Sequence, residues 1–276
     1  MADSRKPDQL KKMLSKCGVV IGLLMLAPVW AFAQSELDDR ISIRLGAFFT
    51  DRETNTQINS DALGSGAEID FEDDLGLESS DSVFRLDSHY RFNEKHRADF
   101  SVFDLSRDSS ATIQRDIQFG DEIFLLDAVV TTNFDLRIHK LAYTYSVMRR
   151  DHGYLGLSIG VHIADSTIGL SEQNLGQTEI RSITAPLPVL GIKSAYEITD
   201  RLTLNASGEF LVVEFDNVEG SLVDLYLDID YQIIEHVAIG VGFNSVDIDV
   251  DANKSDFSGT LDWRYDGALV FFKIDF

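Results

Sequence analysis

The chain has 276 residues, with 46 Asp and Glu against 24 Lys and Arg, a formal charge of −22, and a single cysteine. This balance argues against nucleic acid as a partner, because no surplus of Lys and Arg exists to displace counterions from phosphates. A hydrophobic content of 44%, with many aromatics, argues for a folded chain rather than an acidic disordered one.

Residues 1–33 read as a cleaved secretory signal. Arg5, Lys6, Lys11, Lys12 and Lys16 precede a largely apolar run, Gly18–Ala33, which closes on Ala31-Phe32-Ala33 before Gln34. The run is shorter than a spanning helix, contains Pro28, and is followed by Glu36, Asp38 and Asp39 rather than by basic residues, so it is not read as an anchor. Cys17 leaves with the signal, which removes disulfides, Cys nucleophiles and Cys-ligated metals from residues 34–276. Without residues 1–33 the count falls to 19 basic and 44 acidic residues, a formal charge of −25. No linker or internal repeat divides 34–276, which are expected to form one domain.

From Ser35 onward the dominant pattern is alternation of apolar and polar residues, the period of half-buried strands. Phe84, Leu86, Ser88, Tyr90 and Phe92 share one face; Leu155, Leu157, Ile159 and Val161 another; Leu225, Leu227, Ile229, Tyr231 and Ile233 a third; Val237, Ile239, Val241 and Phe243 a fourth. Four short polar breaks interrupt such runs: Asn93-Glu94-Lys95-His96, Arg149-Arg150-Asp151-His152-Gly153, Thr199-Asp200-Arg201 and Glu235-His236. Longer acidic or polar links are expected near residues 51–81, 107–125, 168–180, 215–221 and 250–259. Four tight turns divide the chain into five hairpins and ten strands. Eight strands is the alternative, because alternation breaks at Phe103-Asp104-Leu105 and near Ile138, breaks that bulges would also account for. Pro186 and Pro188 are the only prolines after the signal, in keeping with a sheet that needs its ladder donors. Their distance from the Thr199 turn puts them near or above the outer membrane boundary, either in a strand end or in a loop.

The last strand carries Ala268, Val270, Phe272, Ile274 and Phe276 on one face and Lys273 and Asp275 on the other, and it stops on an aromatic. This resembles the C-terminal assembly signal of Gram-negative outer-membrane β-barrel proteins, with Phe272, Ile274 and Phe276 as its residues. The resemblance implies an all-β fold, an antiparallel, up-and-down transmembrane barrel in the outer membrane. It also implies lipid and lipopolysaccharide as surroundings, and the barrel-assembly machinery as partner of the last strand. Short turns belong on the periplasmic side and long loops outside.

Inward positions are expected to hold Arg44, Arg85, Asp87, His89, Arg91, Lys140, Lys193, Glu197, Glu209, Asp224, Asp228, Asp230, Lys273 and Asp275. In so narrow a barrel these charges should pair and fill a polar lumen. The leading expectation is a non-enzymatic barrel with a structural or surface-interaction role; a narrow channel for small or hydrophobic solutes is the alternative, and a surface hydrolase is less favoured. None of His89, His96, His139, His152, His162 and His236 has a Ser two positions later, the shared-face pairing of outer-membrane lipid hydrolases. Asp87 and His89 share a face but sit at the short-turn end, unlike the catalytic groups that a resemblance to omptin proteases would require at the opposite rim. No cofactor is expected. Asp247, Asp249 and Asp251 are weak metal candidates, since Lys254 and Thr260 replace the glycine and glutamate of a calcium loop. The acidic loops are suited at most to loosely held Ca²⁺ or Mg²⁺.

Overall fold

The computed structural model describes residues 39–276 apart from 60–63, 65, 173–175, 216–217 and 254–257, so the expected signal at residues 1–33 lies outside the described residues. Numbered in chain order, ten long strands form the wall: β1 (Ile41–Ile58), β3 (Ser80–Asn93), β4 (His96–Thr112), β7 (Val129–Arg150), β8 (Gly153–Glu172), β9 (Gln177–Thr199), β10 (Leu202–Phe215), β11 (Val218–Ile234), β12 (Val237–Asn253) and β13 (Ser258–Asp275). Each pairs antiparallel with the next, and β13 closes on β1 from Ser42–Asp275 to Ile58–Gly259. The alternative of eight strands is thereby excluded. All four expected tight turns join neighbouring strands, at Glu94-Lys95, Asp151-His152, Asp200-Arg201 and Glu235-His236, the last with His236 at a φ of 69°. The seam is locked beyond the strand by Phe276, whose carbonyl accepts from the Arg40 and Ile41 amides at 2.7 and 3.1 Å.

Following paired residues round the wall from Ile41 through Tyr90, Ala98, Tyr143, Ile159, Leu190, Phe210, Val223, Asp247 and Arg264 returns to β1 at Glu53, a stagger of twelve residues. Such a stagger tilts the strands by about 35–45° and leaves a bore that side chains can fill.

Each strand changes character part-way up. At the short-turn end, outward positions are apolar and inward ones polar; Leu45, Phe49, Phe84, Leu141, Ile159, Leu190, Val241, Phe243 and Phe272 form an exposed apolar belt. Above it the sense inverts on both faces. On β7, the outward row runs Asp135, Arg137, His139 and then Leu141, Tyr143, Tyr145, while the inward row runs Phe134, Leu136, Ile138 and then Lys140, Ala142, Thr144. On β1 the outward change falls between Phe49 and Asp51, and on β12 the inward change falls between Asn244 and Val246. The lower half has the polarity of a barrel in lipid, and the upper half that of a barrel in water.

This inversion corrects three expectations. There is no bulge at Phe103-Asp104-Leu105 or at Ile138: Phe103, Leu105 and Ile138 point inward in regular register, and Asp104 pairs outside with Arg137 at 2.6 Å. Much of the residue ranges read as long links is strand, since β1 continues to Ile58, β8 to Glu172 and β9 begins at Gln177. The lumen is also not polar throughout, because its upper half is an apolar core.

Two segments fold inward to complete that core. After β1, the short strand β2 (Glu68–Asp70) pairs back onto it, and Ile69, Phe71, Leu75 and Leu77 are buried. After β4, Ile113 and the hairpin of β5 (Ile117–Phe119) and β6 (Glu122–Phe124) bury Ile117, Phe119 and Phe124, turning on Gly120 at a φ of 59°. Phe71 meets Phe134 of the wall edge-on at 5.5 Å, and Phe48, Phe103 and Tyr265 form a second edge-on group with centroids 5.5–6.3 Å apart.

Two ladders are incomplete among the described residues. β3 and β4 pair only from Asn93–His96 to Arg85–Phe103, although β3 begins at Ser80 and β4 continues to Thr112. β9 and β10 pair only as far as Leu190–Phe210, although β9 continues to Gln177 and β10 to Phe215. Pro186 and Pro188 lie in β9, in the strand rather than in a loop, just above that last pair. The β8–β9 ladder runs past both without a break, which puts their donor-less nitrogens on the β10 side.

Candidate functional site: the charged lumen

In the lower half, alternate residues of every wall strand point into a bore too narrow for free ions, so each charge must find a partner inside. Arg44 of β1 reaches Asp228 of β11 at 2.7 Å and Asp230 at 3.8 Å. Lys273 of β13 donates to Asp230 at 2.9 Å and lies 3.1 Å from Asp275. Asn205 donates to both Asp228 and Asp230, at 2.7 and 2.9 Å, which holds two like charges side by side. Gly240 makes room for this cluster: any Cβ there would overlap the Phe271 ring, over which the Arg44 guanidinium lies at 5.3 Å.

A second cluster spans the bore from β3, β4, β7 and β9 to β10 and β11. Lys140 of β7 donates to Asp224 of β11, whose other oxygen accepts from Asn244 at 2.7 Å. Arg85 grips Asp87 at 2.9 Å and donates to the Asn244 carbonyl oxygen at 2.6 Å. Lys193 lies between Glu209, at 3.3 Å, and Asp99, at 3.5 Å, while His162 bonds Glu209 at 2.8 Å. Arg97 pairs with Asp99 at 2.9 Å, and the guanidinium groups of Arg97 and Arg91 lie over the Tyr154 ring at 5.0 and 5.7 Å. At the short-turn rim, Glu197 lies 3.7 Å from His152. A polar cavity of about 130 Å³ remains between the clusters, bordered by Arg44, Asp87, His89, Lys140 and Lys193 among others.

All fourteen charges expected inside therefore face the lumen. Sequence reasoning missed Arg97, Asp99, Asn205, His162 and Asn244 as members. Arg97 and Asp99 were legible, because they continue the alternation from the Glu94-Lys95 turn.

His162, Glu209 and Asp224 bring one ligand atom each within 4.8 Å of one another, the spacing of a metal site among the described residues. Their lone pairs are already met by Lys140, Lys193 and Asn244, and two ammonium groups at that distance oppose a cation. Asp247, Asp249 and Asp251 stand elsewhere, on the outer surface of upper β12. Asp247 pairs with Arg264 at 3.2 Å, Asp249 faces Asp262, and Asp251 faces Glu219. Burial, then Asp247 and Asp249, push the Asp262 carboxyl above its ordinary range.

Above the charged layer, two arginines enter the apolar core. Arg107 holds the inward segment by donating to Glu72 at 2.5 Å and to Thr54 at 2.7 Å. Arg52 donates to Thr50 at 2.6 Å and lies 4.0 Å from Asp81; burial and then the nearby Arg107 lower its pKa to about 10.

No protein-family model and no curated protein matches the sequence. Among solved structures, the chain is similar to the outer membrane protease OmpT from Escherichia coli, at 9% identity and a TM-score of 0.57, covering 89% of this chain and 99% of that one. It is also similar to the transport unit of the autotransporter AIDA-I from Escherichia coli, at 6% identity and a TM-score of 0.43, covering 94% and 97%. Ail, the attachment invasion locus protein of Yersinia pestis, is similar at 12% identity and a TM-score of 0.38, covering 85% and 99%. Of these three, the first superposes closely enough to bear on the fold, and at such identity it bears on nothing else.

Proposed function

Taking the chain as an outer-membrane β-barrel with its apolar belt in lipid, we propose that it is a closed, non-enzymatic barrel whose water-facing upper half serves a structural or surface-interaction role. The observation that carries this reading is the double filling of the bore, by ion pairs below and by an apolar core above. A solute would have to displace both layers, and separating a buried ion pair costs several kcal/mol. A catalytic role lacks support from the histidines: His96, His152 and His236 lie at the short turns, His89 and His162 are inside the charged layer, and His139 faces outward at the belt's edge. None of them reaches the long-loop rim.

On this reading the partners are lipid and lipopolysaccharide around the belt and the assembly machinery at the last strand. The acidic outer face of β12 and β13 is suited to sharing divalent cations with lipid phosphates. The test is single-channel recording of the purified protein in a planar bilayer. No steady conductance is expected, and Lys193→Met should lower stability without opening a path. Stable ion-selective openings, shifted in selectivity by that substitution, would reject the closed barrel in favour of a channel; turnover of lipid or peptide would reject the non-enzymatic reading.

A further inference from the structure

We propose that β4 takes up an extended, basic segment of a partner protein as an added strand, along the edge it presents where β3 parts from it. The two strands pair no higher than Arg85–Phe103, yet β4 runs on to Thr112 and β3 starts at Ser80. On its other side β4 stays paired with β7 along its whole length, without a register shift. The Ser146 amide donates to the Lys95 carbonyl just before β4, and the Ile113 amide just after it donates to the Ala128 carbonyl. Odd-numbered residues therefore turn their backbone groups to β7 and even-numbered ones to β3. Above the last pair this leaves the N–H and C=O groups of Ser106, Asp108 and Ser110 without a protein partner among the described residues.

The edge is open on the outside and backed on the inside. Ser106, Asp108 and Ser110 are exposed, as are Ser80, Asp81 and Ser82 across the notch, with the Asp81 side chain 45% exposed. Behind the notch, the Ser109 hydroxyl donates to the Leu75 carbonyl at 2.7 Å and Arg107 donates to the Glu78 carbonyl at 3.3 Å. Leu75, Leu77 and Leu105 are buried there. These contacts come from side chains, so they hold residues 71–79 against the inner face of β4 and leave its backbone edge unused. Closing a sheet removes its edges, and a stretch left unpaired is a template for another strand.

Charge selects the occupant. Asp81 and Asp108 flank the edge, Glu78 is exposed beside it, and residues 34–276 carry a formal charge of −25. In an antiparallel addition the residues opposite Ser106, Asp108 and Ser110 point outward with them, where Lys or Arg meets these carboxylates. The alternate residues point at the filled wall and have to be small. A second copy is unsuited, because pairing the same edge would bring Asp104 and Asp108 of both copies together. The proposal rests on the surface-interaction role and gives it a class of partner. It needs neither filled layer to move, so peptide binding and the conductance test fail separately.

The probe is a short capped peptide of alternating Lys and Thr, added to the folded protein in detergent and followed by amide hydrogen exchange. In the free protein the Ser106, Asp108 and Ser110 amides should exchange at least about ten-fold faster than those of Leu105, Arg107 and Ser109, which β7 holds. Saturating peptide should slow the first three at least about ten-fold and leave the other three unchanged. The same peptide with every amide N-methylated keeps its charge and should bind at least about ten-fold more weakly, for want of several hydrogen bonds. A peptide of alternating Glu and Thr should not bind. Asp108→Lys, checked for folding by its heat-modifiable gel band, should weaken binding of the Lys peptide; unchanged affinity would overturn the selection by charge. Slow exchange at Ser106, Asp108 and Ser110 in the free protein would mean that no edge is open. Equal binding of the methylated peptide would reduce the contact to charge alone, and either result overturns the added strand.

Discussion

Arg44 and Asp228 are 184 positions apart in the chain, yet their side chains meet across the lumen at 2.7 Å. The contact exists because the twelve-residue stagger tilts β1 and β11 into facing positions, and it puts a guanidinium beside two carboxylates that would otherwise repel each other. Removing the cation should therefore cost more than the loss of one bond. Arg44→Met is expected to destabilise the barrel by about 3–5 kcal/mol, because it leaves the adjacent Asp228 and Asp230 without the guanidinium that pairs with both. The urea midpoint for unfolding in detergent, read by gel mobility without boiling, measures it; a midpoint unchanged from the unmodified protein would show that these charges are not coupled.

The apolar layer should be just as sensitive. Phe71 is fully buried and packs on Phe134, so Phe71→Ala is expected to cost about 3–5 kcal/mol if its segment stays docked. If the segment instead lifts away, limited proteolysis on intact cells should cut near residues 68–79 in the variant and spare the unmodified protein. Resistance to protease together with an unchanged urea midpoint would count against an inward-folded core.

The docking of that segment should depend on pH. Arg115 donates to Asp74 at 2.5 Å, and this hydrogen bond holds the Asp74 carboxyl below its ordinary value. Its contribution is thus fully present above the unfolded carboxyl value of about 4 and is lost as pH falls through the lower, folded value. The pair is partly exposed, so salt should weaken it. Hydrogen exchange at residues 68–77 should quicken on acidification in the unmodified protein and already be fast at neutral pH in Arg115→Ala. Identical, pH-independent exchange in both would remove Asp74 as the anchor.

Orientation follows from the asymmetry between four two-residue turns and the long connections opposite them. An epitope inserted after Gly64, an exposed glycine at a φ of 86°, should be labelled on intact cells, whereas one inserted at Glu94-Lys95 should be labelled only after the outer membrane is opened. Equal labelling of both would reverse or abolish the assignment.

The lower barrel was legible because an apolar outer face and a charged inner one impose strict alternation, and each tight turn interrupts it sharply, as at Asp151-His152. The upper barrel was not, because alternation continues there with its sense reversed. Asp104 between Phe103 and Leu105 looks like a broken lipid face, and becomes regular only once the outside is water and the inside a core. Inward charges such as Asp228 and Lys273 could be named from parity alone. Their pairings could not, since Arg44 finds Asp228 through the stagger and tilt of the closed sheet, which no local pattern encodes. The incomplete β9–β10 ladder was hinted at by Pro186 and Pro188, but those prolines fit a loop equally well.

The last residue offers a test of assembly. Phe276 points outward and is 61% exposed, so it adds little to the core, while its backbone donates to Ile41 at 2.8 Å and accepts from Arg40 and Ile41. Deleting it removes the final pairing of the seam and the terminal aromatic in register with Phe272 and Ile274. If the last strand is what the assembly machinery recognises, the shortened protein should be lost from the outer-membrane fraction and degraded, although once refolded in detergent it should be nearly as stable as the full chain. Phe276→Tyr keeps the ring and the backbone and should assemble normally, whereas Phe276→Asp keeps only the backbone and should not. Normal outer-membrane yield and heat-modifiable mobility after deletion would mean that neither the terminal ring nor its backbone bonds matter to insertion, and would leave the seam between β1 and β13 sufficient by itself.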